Sequence, residues 1–517
     1  SFPTRRSSDL SEFNVNQQGV IFNNSMADGV SKIGGHTMKN TQLNKEANVI
    51  LNEVTGAKGT HLNGTMEVFG RKADVIIANE NGIKVNGVAT VNTNNLTLTT
   101  GKVVPQNDGR ILLNVEKGGI DIEGRGISTD GLGYFDIISR TVKLDGEIAG
   151  QAETKVVTGL NDYDPETRTH TVRSTTGEDR PEVAIDGSAL GSMYGGRIQL
   201  ISTESGVGVR HQGSLVGTRG VEISADGDLM LSGIQSEQGN VTLAGNAISV
   251  QKHDGYGGIA SQGDLVIRAL SHLMLGADAV SEQGTIRIDA GSMLQSAAVL
   301  MAKNGQSSTG NIPSIIINVN DEYQIAGNLY AVDAQGNRLN NATITLEKGA
   351  YVVRVGGQVV NAGVTSDAQL VAQQGDISVN AKKFKNNKGG VVARKGAITF
   401  NITDVAENDG TIQAAGSFFL NTGKAKNSGI IYADTQRFTV GSLENQGAMF
   451  ANNVIVETGA LDNSGVINAN ADITLKANGD LVNNSGDIQG KNVAIEQNGT
   501  TAGSAKMTNT GKEIGRA

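Results

Sequence analysis

Six Asn-x-Gly triplets stand at nearly equal intervals in the last third of the chain, at 387–389, 408–410, 427–429, 445–447, 463–465 and 484–486, spaced 21, 19, 18, 18 and 21 residues. Between them the apolar residues alternate with polar ones, which is the period of strands and not of helices. A period near 20 residues filled with strands is one coil of a parallel β-helix per repeat. An earlier ladder supports the same reading: apolar runs follow Gly196, Gly220, Gly239, Gly263 and Gly284, spaced 24, 19, 24 and 21 residues. Strands stacked about 4.8 Å apart pair every backbone group with the neighbouring coil. Ile430, Phe438 and Val440 are expected to point inward in a dry column. The triplet glycines are expected to take turn conformations that other residues resist, and the stacked asparagines to hydrogen-bond along the axis.

The N-terminal part keeps the strand signal without the strict beat. From Asn48 to Thr100 apolar residues alternate, as Val75 with Ile77, Ile83 with Val85 and Leu96 with Leu98, and Asn-Gly pairs at 63–64, 81–82 and 86–87 supply tight turns. The wording of this stretch resembles the N-terminal secretion domain of two-partner-secreted exoproteins. That is the filamentous-haemagglutinin-like family of bacterial surface adhesins, contact-dependent-inhibition proteins and cytolysins. The likeness is carried by ILNEV at 50–54, LNG at 62–64 and ADVIIANENGI at 73–83. It continues in FNVNQQGVIFNNS at 13–25, YFDIISRTVKLDGEIAGQ at 134–151 and the run 185–213, and spans about residues 11–235.

The resemblance implies an all-β, right-handed parallel β-helix, capped at its N-terminal end, with short extra-helical antiparallel strands. It also implies a role for two short segments. The family's NPNGI motif corresponds to Asn79-Glu80-Asn81-Gly82-Ile83, with Glu80 where the family has proline, and its NPNL motif corresponds more weakly to Asn40-Thr41-Gln42-Leu43. In the family these segments are read, while extended, by the periplasmic POTRA domains of a dedicated outer-membrane TpsB transporter, whose barrel then passes the chain. The family's cysteine pair after NPNGI is absent. The implied protein is a non-enzymatic, secreted, surface-exposed adhesin shaft that meets a receptor or glycan on a host or neighbouring cell. The alternative is the stalk of a contact-dependent growth inhibition toxin, or of a cytolysin, whose effector lies beyond Ala517.

Residues 1–10, SFPTRRSSDL, look like the translation of a sequencing-adapter oligonucleotide and are set aside as non-native. An export signal is expected upstream of the given sequence. The domains expected are a secretion domain at 11–235, coils at 236–303, an irregular β segment at 304–362, and coils of about 20 residues at 363–517. The irregular segment reads equally as coils with longer loops or as a small lateral β element. Residues 162–181, charged and with two prolines, are expected to project as a loop or hairpin.

Composition closes other routes. A net charge of −9 without a basic tract gives no footprint for nucleic acid, and the absence of cysteine removes disulfide and thiol chemistry. No apolar run reaches the length that spans a bilayer as a helix. Glu147, Asp186, Glu204, Asp228, Asp264 and Asp376 lie in or beside turn signals, so they are expected to be solvated turn residues and not the paired carboxylates of a polysaccharide-cleaving site. His36, His61, His170, His211, His253 and His272 lack metal-ligand spacing and are expected at the surface. No cofactor motif is present.

Overall fold

The computed structural model describes residues 5–173, 180–296, 298–303, 315–325, 328–332, 342–346, 350–354, 369–372, 376–498, 507–509 and 512–515. None of them is helical, and the chain divides into two units, residues 1–261 and 262–517. Both are parallel β-helices.

In the first unit each coil contributes up to three short strands, and each strand pairs in parallel with the strand one coil away. One face runs through Val49–Val54, Ala73–Asn79, Thr93–Thr99, Tyr134–Ser139, Glu153–Thr158 and Arg197–Ser202. Paired in this way, inward side chains stack: Val75 on Leu96, Leu96 on Phe135, and Ile198 on Val221, all buried. Each such side chain contributes roughly 1.5 to 3 kcal/mol of burial, and only the neighbouring coil supplies the cover. The set-aside segment is not left loose. Arg5–Leu10 pairs in parallel along Val49–Val54, from Arg5 opposite Val49 to Leu10 opposite Val54. A backbone edge accepts any extended strand, so this pairing is indifferent to side-chain wording.

The N-terminal end carries the expected cap, a hairpin of Gly29–Ser31 with Gly35–Thr37. Buried Glu67 holds it: its carboxylate accepts from the Ser31 hydroxyl (2.6 Å) and from the backbone N–H of Lys32 (2.8 Å) and Ile33 (2.9 Å). Burial acts to raise this carboxyl, but the three donors outweigh it and hold it below the ordinary carboxylate range. A depressed folded value means the contribution is present above the unfolded pKa and lost as pH falls through the folded one. Glu67→Gln is therefore expected to loosen the hairpin by about 1 to 3 kcal/mol, and acidification to loosen it in the parent protein. Hydrogen exchange of the 31–34 amides measures both.

The extra-helical strands form one antiparallel sheet, Lys102–Pro105, Ile111–Asn114, Asn161–Asp164 and Thr169–Val172 in that order. Its Ile111, Leu113 and Tyr163, with Val115 just beyond the strands, cover the outward-facing Leu51, Ile76, Ile138 and Val157 of the coil face. This corrects the expectation for residues 162–181: Asn161–Asp164 and Thr169–Val172 do make a hairpin, but it lies on the shaft, with Tyr163 fully buried. The uninterrupted apolar run VIIA at 75–78 carried that signal, since a strand covered on both faces loses its alternation.

In the second unit the described strands at 315–354 also belong to coils. Ile315–Val319 and Tyr323–Ile325 both pair in parallel with Ile286–Gln295, and Ala342–Leu346 and Ala350–Arg354 both pair with Ile377–Asn387. Of the two readings of residues 304–362, the coiled one fits these strands; residues 304–314, 326–327, 333–341, 347–349 and 355–362 lie outside the described residues.

From residue 376 onward the repeats show why the triplets recur. Buried asparagines pass hydrogen bonds up the axis, each Nδ2 donating to the next Oδ1: Asn386 to Asn408 (2.7 Å), Asn408 to Asn427 (2.8 Å), Asn427 to Asn445 (2.8 Å), Asn445 to Asn463 (2.7 Å) and Asn463 to Asn483 (2.8 Å). At both ends the ladder residue is one place upstream of the triplet asparagine. Those two turns hold one extra residue, and Lys388 (φ 58°) and Ser485 (φ 62°) absorb it in the left-handed region.

The triplet glycines correct the expected reason for their presence. Gly410, Gly429, Gly447 and Gly465 do not have positive φ. Each sits directly over the corresponding glycine of the previous coil, and a Cβ on Gly429 would stand well inside contact distance of the Gly410 carbonyl oxygen. Stacking distance, and not dihedral freedom, selects glycine here. Ile430 is likewise corrected: it is 37% exposed, while Ile431 is the inward residue, and Phe438 and Val440 are buried as expected. In the core, Phe384, Phe400, Phe418 and Phe438 make successive tilted and edge-to-face contacts at 4.5, 5.5 and 5.6 Å between ring centres.

Candidate transporter-recognition turns

Asn79 ends the strand Ala73–Asn79 and Ile83 begins the strand Ile83–Val85, so the motif is the corner between two faces of a coil. The Asn79 Oδ1 accepts from the backbone N–H of Asn81 (2.9 Å), and its carbonyl accepts from Gly82 N–H (3.1 Å). Its Nδ2 donates to the Lys58 carbonyl and to Thr60 Oγ1, both at 2.9 Å. Gly82 takes φ 108°, which a side chain resists. Asn81 is exposed, yet its Nδ2 donates to the Gly56 carbonyl at 2.8 Å. Ile83 stacks between Thr60 and Ile120. Asn79 and Ile83 are each only 1% exposed.

Glu80 points the other way, toward Lys102 (3.2 Å) and Lys117 (3.6 Å). A proline would preset the turn backbone but could make neither contact.

Asn40, Thr41, Gln42 and Leu43 repeat the same local geometry. The Asn40 Oδ1 accepts from Gln42 N–H (3.0 Å) and its carbonyl from Leu43 N–H (3.2 Å). Asparagine leads both motifs because its side chain copies a backbone acceptor two residues back. The surroundings differ. Asn40 is tied to the Asn23 and Ser25 carbonyls of the cap, and Thr41 and Gln42 are exposed, whereas residues 79–83 are built into the wall against Gly56, Lys58 and Thr60.

Sequence reasoning missed a buried ionic latch. Asp136, fully buried, accepts a forked pair of hydrogen bonds from Arg168 (3.0 and 2.8 Å) and one from the Tyr163 hydroxyl (2.7 Å). Arg168 also reaches Glu153 (3.2 Å) and lies 4.2 Å over the Tyr134 ring. Burial raises the Asp136 carboxyl above its usual range against the pull of Arg168 and Tyr163, and burial also lowers neighbouring Lys155. Two surface expectations fail for the same reason of position. The Glu204 side chain is fully buried against Arg140 at 3.0 Å. His211 is 1% exposed, its ring nitrogens 3.2 and 3.0 Å from the Gly213 and Gly191 carbonyls, and burial lowers its pKa. Asp228, Asp264 and Asp376 do serve turns, accepting from the backbone N–H of Ala247, Thr285 and Ala397. Among the described residues no three His, Asp or Glu side chains converge as a metal site.

Comparison with known proteins places this geometry. Residues 6–231 match the family model described as the TPS secretion domain, and 244 residues are 45% identical to the filamentous hemagglutinin of Bordetella pertussis. Residues 6–231 belong to the TPS secretion domain family. That alignment takes in 46% of this chain and 7% of the relative. The 16S rRNA endonuclease CdiA of Enterobacter cloacae is 29% identical over 429 residues, 82% of this chain and 12% of that protein. Toxin CdiA of Yersinia pestis is 40% identical over 224 residues, 43% of this chain and 7% of its own length. A crystal structure of the filamentous hemagglutinin secretion domain is 36% identical, covering 59% of this chain and 89% of that one, with a TM-score of 0.44. The chain spans only a small part of the curated relatives it matches.

Proposed function

We propose that this exoprotein segment is the secretion domain and first part of the shaft of a haemagglutinin-like surface adhesin. A TpsB-type outer-membrane transporter would export it, its periplasmic POTRA domains reading residues 79–83, and secondarily Asn40-Thr41-Gln42-Leu43, before the chain folds. The observation that carries this is burial. In the folded coil Asn79 and Ile83 are closed off and their polar groups engaged, so a partner can read them only while the segment is extended. Once outside, each coil gains its burial only on the coil already formed, which favours outward movement without a nucleotide fuel. The shaft then displays its outer face to a receptor or glycan on another cell.

The test compares binding of the cognate transporter's soluble periplasmic domains to the chain in two states, folded and freshly diluted from urea. Binding to the unfolded chain only is expected, and it should drop when residues 79–83 are deleted. Equal binding to both states, or full secretion of the deletion variant, sinks the recognition role.

The long match to the CdiA endonuclease favours a second reading, in which the same shaft is the stalk of a contact-dependent toxin. The gene beyond residue 517 separates the two: a nuclease-like terminus followed by a small immunity gene indicates the toxin, and further coils the adhesin.

A further inference from the structure

A stack of similar coils has a register problem. The backbone of one coil offers the same row of donors and acceptors as the next, so pairing alone does not tell a neighbour from the coil beyond it. The outward side chains supply the missing information. In the first unit, Lys84, Asp121, Lys143, Asp186 and Arg210 stand directly opposite one another on five successive coils. Their signs alternate at every step.

In the second unit Lys385, Glu407, Lys426 and Glu444 do the same on four successive coils. Glu457, Lys476 and Glu496 do so on three. Contacts within these columns include Arg210 to Asp186 at 2.7 Å, Lys426 to Glu407 at 3.3 Å and Lys476 to Glu496 at 3.5 Å. Lys84 and Lys143 are also satisfied sideways, by Glu123 at 2.9 Å and Asp145 at 2.7 Å. Pairs this exposed add little stability each, so stability does not explain why the order of signs is kept.

We propose that these columns encode coil order: every correct stack sets unlike charges together, and a stack that skips one coil sets like against like. If the coil carrying Lys426 docks on that carrying Lys385, leaving the Glu407 coil looped out, lysine meets lysine. The same skip in the first unit sets Lys143 on Lys84 or Asp186 on Asp121. Like charges directly opposite are unfavourable on neighbouring strands, and a column repeats that discrimination at each addition. In the first unit, among the described residues beyond 54, no register pair sets like charge on like. The one such pair before that point, Asp9 opposite Glu53, falls in the segment whose wording is foreign to the rest. The second-unit column stops at Glu444 opposite Asp462.

The test refolds the full chain from urea at low salt and maps looped-out coils by limited proteolysis and peptide-level hydrogen exchange. Lys426→Glu makes the native stack four carboxylates deep at 407, 426, 444 and 462, and makes the skipped stack attractive through Lys385. It is expected to raise the fraction with an unprotected 388–411 segment roughly three- to tenfold, an excess that shrinks as salt screens the column. Lys426→Gln, which loses the attraction without adding repulsion, should refold like the parent. The fourfold inversion K385E/E407K/K426E/E444K restores alternation and should restore the parent's yield. The proposal is overturned if Lys426→Glu refolds as the parent does, if Lys426→Gln is equally impaired, or if the inversion fails to rescue.

Discussion

Replacing Arg168 with methionine is expected to cost about 3 to 5 kcal/mol at neutral pH, because it strands the buried Asp136 carboxylate without its counter-charge. The damage should be local, since Asp136 and Tyr163 tie the extra-helical sheet to the coil face. Hydrogen exchange should show Ile111–Asn114 and Asn161–Asp164 opening first. The pH dependence has a definite sign. Burial already raises the Asp136 carboxyl in the fold, and losing Arg168 raises it further. A group whose folded pKa lies above its unfolded value weakens the fold as pH rises between the two and lends relative stability below both. The Arg168→Met protein should therefore recover on acidification toward the ordinary carboxylate range, opposite to the Glu67-held hairpin. The double variant D136N/R168M, which removes both charges, should regain most of the loss. Urea denaturation across pH distinguishes these outcomes, and a pH-independent deficit would show that the pair contributes packing and not charge.

The second large effect concerns the asparagine ladder. Asn427→Leu removes both an acceptor and a donor from its middle, orphaning the Asn408 Nδ2 and the Asn445 Oδ1 in the core. At about 1 to 3 kcal/mol for each buried unsatisfied group, the expected cost is about 2 to 6 kcal/mol. Asn386→Leu makes the contrast. The Asn386 Oδ1 already lacks a partner at the upstream end of the ladder, so that substitution exchanges one orphan for another, the Asn408 Oδ1, and should be much milder. Equal effects at the two positions, measured by denaturation and by protection of the 408–463 amides, would mean that the ladder bonds carry no directional weight.

A good part of this was legible in the chain. The spacing of the triplets announced the coil, and the alternation announced strands, because both signals are local and repeat. Family wording located the two turn motifs, and asparagine at the head of each is explained by the turn it makes. The rest was hidden for physical reasons. Whether Glu204, His211 and Tyr163 face water depends on what packs against them, and those partners lie far away in sequence, as Tyr163 packs on Leu51 and Ile76 and Glu204 on Arg140. Ile430 and Ile431 exchange inside and outside according to the preceding turn, which a repeat count does not register.

The sequence by itself determined the period, the strand content and the family, since each is written into contiguous residues. The tertiary structure alone decided which asparagine of each repeat joins the ladder, that the triplet glycines answer to stacking distance, and which charges meet. Those are properties of residues some 20 positions apart brought to one coil spacing. A single inserted residue, absorbed at Lys388 or Ser485, shifts them without changing the pattern along the chain.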